Sequence, residues 1–113
     1  MKIYIIDDSS FVRNQIAELF HGNMNFETIE LEKLPKFNEA ENWVFLELDF
    51  DRELSGLQAL EFVSDNPGQN FVVLAAPGEE RLVEQAIQSG ARDFLFKPLK
   101  KSELLRVFAK IQT

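Results

Sequence analysis

Short runs of apolar residues that end abruptly at acidic residues are the main feature of this sequence. The first run ends at Asp7 and Asp8, and the second ends at Glu47. Apolar runs without alternation are typical of parallel strands that are covered on both faces. Four such runs lie at residues 2–6, 43–46, 71–74 and 94–96.

A fifth strand is predicted from a different pattern. Ile29 and Leu31 alternate with Glu30 and Glu32. A period of two indicates a strand with one buried and one exposed face. We therefore expect this strand to lie at an edge of the sheet.

Four segments between the strands have the spacing of amphipathic helices, because apolar residues recur at intervals of three and four. Serine residues stand where N-caps are expected: Ser9 or Ser10 for the first helix, Ser55 for the second and Ser102 for the last. Gly22 can end the first helix. The apolar positions are Val12, Ile16, Leu19 and Phe20; Leu57, Leu60 and Val63; Leu82, Val83, Ala86 and Ile87; and Leu104, Leu105, Phe108 and Ile111.

The segment 33–42 breaks this alternation of strands and helices. Pro35 interrupts it, and its apolar residues are few. Proline in a helix interior removes a hydrogen bond and clashes with the preceding turn. We expect a stub or a loop here instead of a full helix, with the adjoining face of the sheet less well covered.

The order of elements indicates the fold class. Strands that alternate with helices favour an α/β protein with a doubly wound, five-stranded parallel sheet. The length of 113 residues and the apolar content of 45% fit one domain with one core, spanning residues 1–113.

Composition excludes several classes of function. The chain has no cysteine and a single histidine, His21, which argues against thiol chemistry and histidine-based metal sites. No apolar run reaches the roughly 20 residues of a membrane span, and the first residues lack the apolar core expected of a signal peptide. The net charge of −7 argues against nucleic-acid binding by this domain alone. We expect a cytoplasmic protein that does not bind membranes.

The charge is distributed unevenly along the chain. Residues 1–80 carry 16 acidic and 5 basic side chains, whereas residues 81–113 carry 3 acidic and 7 basic ones. Two interpretations remain open at this point: an ordinary solvated surface, or a docking face in the last third that is directed at an acidic partner.

Charged residues follow three of the predicted strands. Asp7 and Asp8 end the first, Glu47 and Asp49 the third, and Lys97 the fifth. In open parallel sheets, ligands bind beyond the carboxyl ends of the strands. Each acid taken alone has another interpretation as a cap of the following helix. Together they predict four carboxylates and one ammonium at a single edge.

This combination resembles the receiver domain of bacterial response regulators over nearly the whole chain. The resemblance implies a flavodoxin-like fold with strand order 2-1-3-4-5. It also implies a module that signals and is not an enzyme. The matching segments are residues 5–9 with Arg13, residues 75–86, Gly90-Ala91, Asp93-Phe94 and Lys97-Pro98.

The resemblance implies a phosphorylation switch. An Asp at the end of the third strand takes a phosphoryl group from a phosphohistidine, and the acidic pair holds Mg²⁺. A Ser or Thr after the fourth strand and a Lys after the fifth bind the phosphoryl oxygens, while an aromatic residue of the fifth strand moves. Carried over to this chain, Lys97 is the phosphoryl-site lysine, Ala75 and Phe94 hold the two switch positions, and Pro98 is a candidate cis-proline.

Two positions depart from the family pattern. Aligning the apolar third strand puts Glu47 at the phosphoacceptor position. The rival alignment puts Asp49 there, but it buries Glu47 inside a central strand, which costs several kcal/mol without a partner. At Ala75, the hydroxyl that would bind a phosphoryl group is missing.

These departures change the expected chemistry. Glu is longer than Asp by roughly 1.5 Å, and a misplacement of about 1 Å can cost on the order of a hundredfold in rate. Glu47 is thus expected to be a poor acceptor. Its carboxylate either reaches toward Lys97 in place of a phosphoryl group, or switching is simply lost. No cofactor is required on this interpretation. Mg²⁺ binding is possible, but it is expected to be weak or absent unless Glu47 joins Asp7 and Asp8 as a ligand. The carboxylates available to Mg²⁺ are Asp7, Asp8, Glu47 and Asp49.

The predicted function is therefore signalling by protein–protein contact without dependence on phosphorylation. Two alternatives stay open: a conventional receiver that a histidine kinase phosphorylates on Asp49, and a receiver-like dimerisation module without a switch. The partner is a histidine kinase, an effector domain or a second copy. The candidate output face comprises Arg92, Lys100, Lys101, Arg106 and Lys110.

Overall fold

The fold was obtained as a computed structural model, which describes residues 1–37, 41–48 and 57–112. Strands and helices alternate along these residues, except between the second and third strands. The strands are β1 (Lys2–Ile6), β2 (Glu27–Leu31), β3 (Trp43–Glu47), β4 (Asn70–Ala75) and β5 (Asp93–Phe96). The helices are α1 (Ser10–Ala17), a 3₁₀ turn (Glu18–Phe20), α2 (Leu57–Asp65), α3 (Glu80–Gln88) and α4 (Lys101–Gln112).

The five strands form one parallel sheet in the order β2-β1-β3-β4-β5. All five residues of the central strand β3 are buried, as its continuous apolar sequence predicts. The alternating strand β2 lies at the edge, where one of its faces meets solvent. The predicted α/β fold and its strand order are confirmed.

Two hydrophobic clusters cover the two faces of the sheet. Ile3 and Ile5 of β1 point into the cluster under α1 and α4, while Ile6 points into the cluster under α2 and α3. β3 alternates in the same way, with Phe45 on the first face and Leu46 on the second. This alternation fixes the face of the sheet that each side chain enters. Because all strand pairs are parallel, the carboxyl ends of the strands and the polar residues described below lie at one edge.

Of the predicted helix caps, one is confirmed and one is wrong. Ser9 caps α1, and its hydroxyl accepts a hydrogen bond from the Val12 amide at 3.3 Å. Ser102 is not a cap, because α4 begins one residue earlier. The carbonyl of Lys100 already accepts from the Leu104 amide, so the first turn closes without a serine hydroxyl. Ser55 lies outside the described residues.

Three residues predicted on buried helix faces are exposed. Leu57 of α2 is 51% exposed, Leu105 of α4 is 47% exposed and Ile87 of α3 is 41% exposed. The buried positions of α4 are Leu104, Val107 and Ile111. Successive residues of a helix are about 100° apart, so Leu105 is turned away from the stripe that contains Leu104.

The segment between β2 and β3 covers the sheet without a helix in its described part, residues 33–37 and 41–42. Leu34 and Phe37 pack against the cluster on the α2 side, and the ring of Phe37 meets that of Tyr4 edge-on at 5.0 Å. These two side chains cover part of the face that we expected to be less well covered. Residues 38–40 lie outside the described residues.

At the amino end of β5, a buried carboxylate ties the sheet to α4. Asp93 is only 5% exposed, and it accepts hydrogen bonds from the guanidinium of Arg106 at 2.7 Å and the ammonium of Lys110 at 3.0 Å. Burial alone would raise the pKa of Asp93, but the hydrogen bonds from Arg106, the Phe94 amide and Lys110 bring it below its ordinary value.

We expect Arg106→Ala to lower the free energy of unfolding by about 1–3 kcal/mol, because a buried carboxylate loses its main donor. Glu103→Ala is the matched control, since it removes only the exposed partner of Arg106 and is expected to cost at most about 1 kcal/mol. Urea denaturation of both variants measures the difference. Equal losses would show that Asp93 is not the partner that stabilises α4.

Candidate functional site

The carboxyl end of β1 carries Asp7, whose side chain is fully buried. One carboxylate oxygen accepts a hydrogen bond from the Ser9 amide at 2.9 Å. The Asp7 carbonyl accepts from the guanidinium of Arg13 at 2.6 Å. Arg13 is in turn flanked by Glu30, at 3.4 Å, and Glu32, at 3.7 Å. Glu30 of the edge strand β2 and Glu32 just beyond it thus hold the arginine that binds the end of β1. The sequence analysis missed this role.

Glu47 is the last residue of β3 and reaches the same edge. Its Oε2 accepts a hydrogen bond from the Asp8 amide at 3.0 Å, and the residue is 8% exposed. Burial, helped by the adjacent Asp7 carboxyl, raises the pKa of Glu47 to about 7, although the Asp8 amide and Lys97 act in the opposite direction. Near neutral pH, Glu47 is therefore partly protonated.

Lys97, the first residue after β5, supplies the positive charge of the site. Its ammonium lies 2.8 Å from Asp7 Oδ2 and 3.8 Å from Glu47 Oε1. The expected approach of Glu47 to Lys97 is present, but Asp7 is the nearer partner, which the sequence analysis did not predict. The peptide bond between Lys97 and Pro98 is cis.

Three acidic side chains are grouped closely enough to hold a metal ion. Ligand oxygens of Asp7, Asp8 and Glu47 all lie within 4.8 Å of one another. Carboxylate oxygens are the ligands that Mg²⁺ prefers, so this donor set fits that ion. The fourth acid named for the metal site, Asp49, lies outside the described residues; its role as the rival phosphoacceptor stays a prediction.

The two residues predicted to hold the switch positions, Ala75 and Phe94, lie on the adjacent strands β4 and β5. Ala75 ends β4 and is buried, with no hydroxyl to offer a ligand. Phe94 of β5 is 39% exposed, and its ring meets that of Phe96 edge-on at 5.7 Å. Phe94 therefore points out of the sheet toward α3.

All five residues of the candidate output face are exposed. Two of them, Arg106 and Lys110, also pair with the buried Asp93. An apolar groove of about 450 Å³ lies between α3 and β5. Its apolar lining comprises Val83, Ile87, Phe94 and Phe96.

Residues 3–109 match the family described as the response regulator receiver domain. The chain belongs to this family. The chemotaxis protein CheY of Listeria monocytogenes serovar 1/2a is 29% identical over 117 aligned positions, with 97% of each chain covered. A response regulator from Thermotoga maritima has a similar fold, with a TM-score of 0.76 and 19% identity over 99% of this chain and 98% of that one.

The match also extends to a part of a longer protein. NtrX from Brucella abortus is similar with a TM-score of 0.70 and 21% identity, over 96% of this receiver domain but only 26% of the NtrX chain.

Among the described helices of this chain, none has the length and apolar content to span a bilayer.

The raised pKa of Glu47 predicts a specific pH dependence of stability. The folded state holds the Glu47 proton up to about pH 7, whereas the unfolded state releases it near 4.5. The stabilising contribution of the protonated form is complete below pH 4.5 and is lost as the pH rises to about 7. This loss should be on the order of 3 kcal/mol.

Glu47→Gln keeps the shape of the protonated side chain and cannot ionise. We expect its stability relative to the wild type to increase between pH 4.5 and pH 8, as measured by denaturant unfolding at each pH. Glu80→Gln, a change at an exposed acid, is the control for net charge. A constant difference between Glu47→Gln and wild type across this range would contradict the assignment.

Proposed function

We propose that this receiver domain signals through contacts with a protein partner and does not depend on phosphorylation of an aspartate. The observation that carries the proposal is the position of Glu47 at the end of β3, bonded to the Asp8 amide and facing Lys97. In the family pattern, the phosphoacceptor aspartate stands at the end of this strand.

The local chemistry favours a permanently filled site. The carboxylate of Glu47 accepts a hydrogen bond from the Asp8 amide and lies near the ammonium of Lys97. Both groups would otherwise be available to an incoming anion. Ala75 adds no hydroxyl to hold a phosphoryl oxygen. A phosphoryl group needs its charge neutralised by fixed donors and a metal, and here those donors already have partners within the protein.

The apolar groove between α3 and β5 supports a contact surface for the partner. Ile87 and Phe94 are large apolar side chains that stay exposed on neighbouring elements. Exposed apolar side chains grouped beside charged residues are typical of protein interfaces. A histidine kinase, an effector domain or a second copy of the chain are the candidate partners.

Receiver domains bind Mg²⁺ at their acidic pocket, and Asp7, Asp8 and Glu47 would hold it here. The ion would supply positive charge to neutralise the clustered carboxylates. In this chain, the ammonium of Lys97 already lies against Asp7. We infer that Lys97 competes with the ion and makes Mg²⁺ binding weak.

Removing this competitor should strengthen metal binding. We expect Lys97→Ala to bind Mg²⁺ on the order of tenfold more tightly than the wild type, because the trio of acids loses its internal cation. Calorimetric titration measures both affinities, with Lys100→Ala as the control for net charge. Strong binding by the wild type without gain in Lys97→Ala would mean that the lysine does not compete.

The proposal predicts that a small phosphodonor with Mg²⁺ leaves the protein unmodified, as judged by intact mass. The matched control is Glu47→Asp combined with Ala75→Thr, which restores the family's residue types at both positions. We expect this variant to gain one phosphoryl group. A wild-type adduct that maps to Asp49 would support the conventional receiver instead.

A further inference from the structure

A second glutamate acts at the same edge of the sheet. The Ala76 amide donates a hydrogen bond to Glu79 Oε1 at 2.6 Å, and the Glu79 amide donates back to the Ala76 carbonyl at 3.1 Å. The two bonds close the turn between β4 and α3 from both sides. The Glu79 side chain thereby accepts a hydrogen bond from the first amide after the end of β4.

This amide lies beside the lysine of the site. The backbone amide of Lys97 donates to the Ala75 carbonyl at 2.8 Å, and Ala75 is paired with Phe96 in the sheet. Ala76 and Lys97 are thus the first residues beyond two neighbouring strands. Ligands of parallel sheets bind at this edge, and exposed amides there are donors for anions.

Three donors at this edge share one property. The Asp8 amide, the Ala76 amide and the Lys97 ammonium each contact a carboxylate of the protein itself. Glu47 contacts the Asp8 amide, Glu79 contacts the Ala76 amide and Asp7 contacts the Lys97 ammonium. Glu47 does not account for the Ala76 amide. Without Glu79, this amide would be available to an external anion.

We propose that Glu79 is a positioning residue that closes the anion-binding donors of the site together with Glu47. The proposal rests on the function proposed above, in which Glu47 fills the acceptor position. An anion that approaches Lys97 must displace the Glu79 carboxylate from the Ala76 amide and also meets its negative charge. Both effects oppose binding, and a hydrogen bond to a charged acceptor is among the stronger ones in proteins.

The neighbouring glutamate offers a matched control. Glu80 is exposed and carries the same charge one residue further along, and its Oε1 lies 3.4 Å from the Gly78 amide. This contact is too long for a strong hydrogen bond. Removal of Glu80 therefore reproduces the change in net charge without freeing the Ala76 amide.

The experiment compares two double variants, Glu47→Gln with Glu79→Ala and Glu47→Gln with Glu80→Ala, at one fixed Mg²⁺ concentration. Orthophosphate is titrated, and the amide resonances of Asp8 and Ala76 are followed by NMR. We expect the Glu79 variant to bind phosphate on the order of tenfold more tightly, with the Ala76 resonance shifting on binding. Glu79→Gln in the same background keeps a neutral acceptor and should lie between the two.

Equal phosphate affinity in the two double variants, or no binding in either, would overturn the proposal. So would an Ala76 resonance that does not respond while others do. A variant that merely loosens the turn would lose stability without gaining phosphate affinity. No phosphodonor enters this titration, so phosphorylation of the wild type on Asp49 would refute the proposed function and leave the role of Glu79 to be decided separately.

Discussion

The contact between the Lys97 ammonium and the buried Asp7 carboxylate, at 2.8 Å, determines the arrangement of the whole carboxyl edge. The two residues follow β5 and β1, which are separated in the sheet by β3 and β4. The lysine side chain must therefore reach across the ends of both intervening strands. A buried charge without a partner costs several kcal/mol, so the position of Asp7 requires this reach.

Glu47 lies near this ion pair, and the ion pair influences its charge. The lysine is 1 Å closer to Asp7 than to Glu47, so Glu47 receives the weaker share of the positive charge. Burial and the adjacent Asp7 carboxyl then raise the pKa of Glu47 to about 7. One ion pair thus influences both the charge of Glu47 and the proposed competition between Lys97 and a metal ion. A rearrangement of Lys97 would alter the two together.

The fold could be predicted from the sequence because its signals are local. Uninterrupted apolar runs and the alternation in β2 mark the strands, and Ser9 marks the start of α1. The edge that carries Asp7 and Glu47 followed from strand direction alone. The exact start of α4, one residue earlier than expected, could not be predicted in this way. It depends on the hydrogen bond that the Lys100 carbonyl accepts from the Leu104 amide.

Side-chain partners within the edge were harder to predict. Asp7 and Glu47 are both within reach of Lys97, and the choice between them depends on differences of about an ångström that a spacing argument cannot supply. The sequence gives no signal for the hydrogen bond from the Ala76 amide to Glu79, because this bond depends on a turn of the backbone. Leu34 and Phe37 were likewise missed as cover for the sheet, since their segment has no periodicity.

The basic charge of residues 81–113 has a different interpretation once its ion pairs within the folded domain are known. Sequence counting gives seven basic residues between 81 and 113, but in the folded protein Lys97 is paired with Asp7, and Arg106 and Lys110 are paired with Asp93. Three of the seven basic residues therefore pair with buried acids of the domain itself. We infer that an acidic partner is attracted less strongly than the count of charges suggests, and that the exposed apolar side chains of α3 and β5 carry more of the proposed recognition.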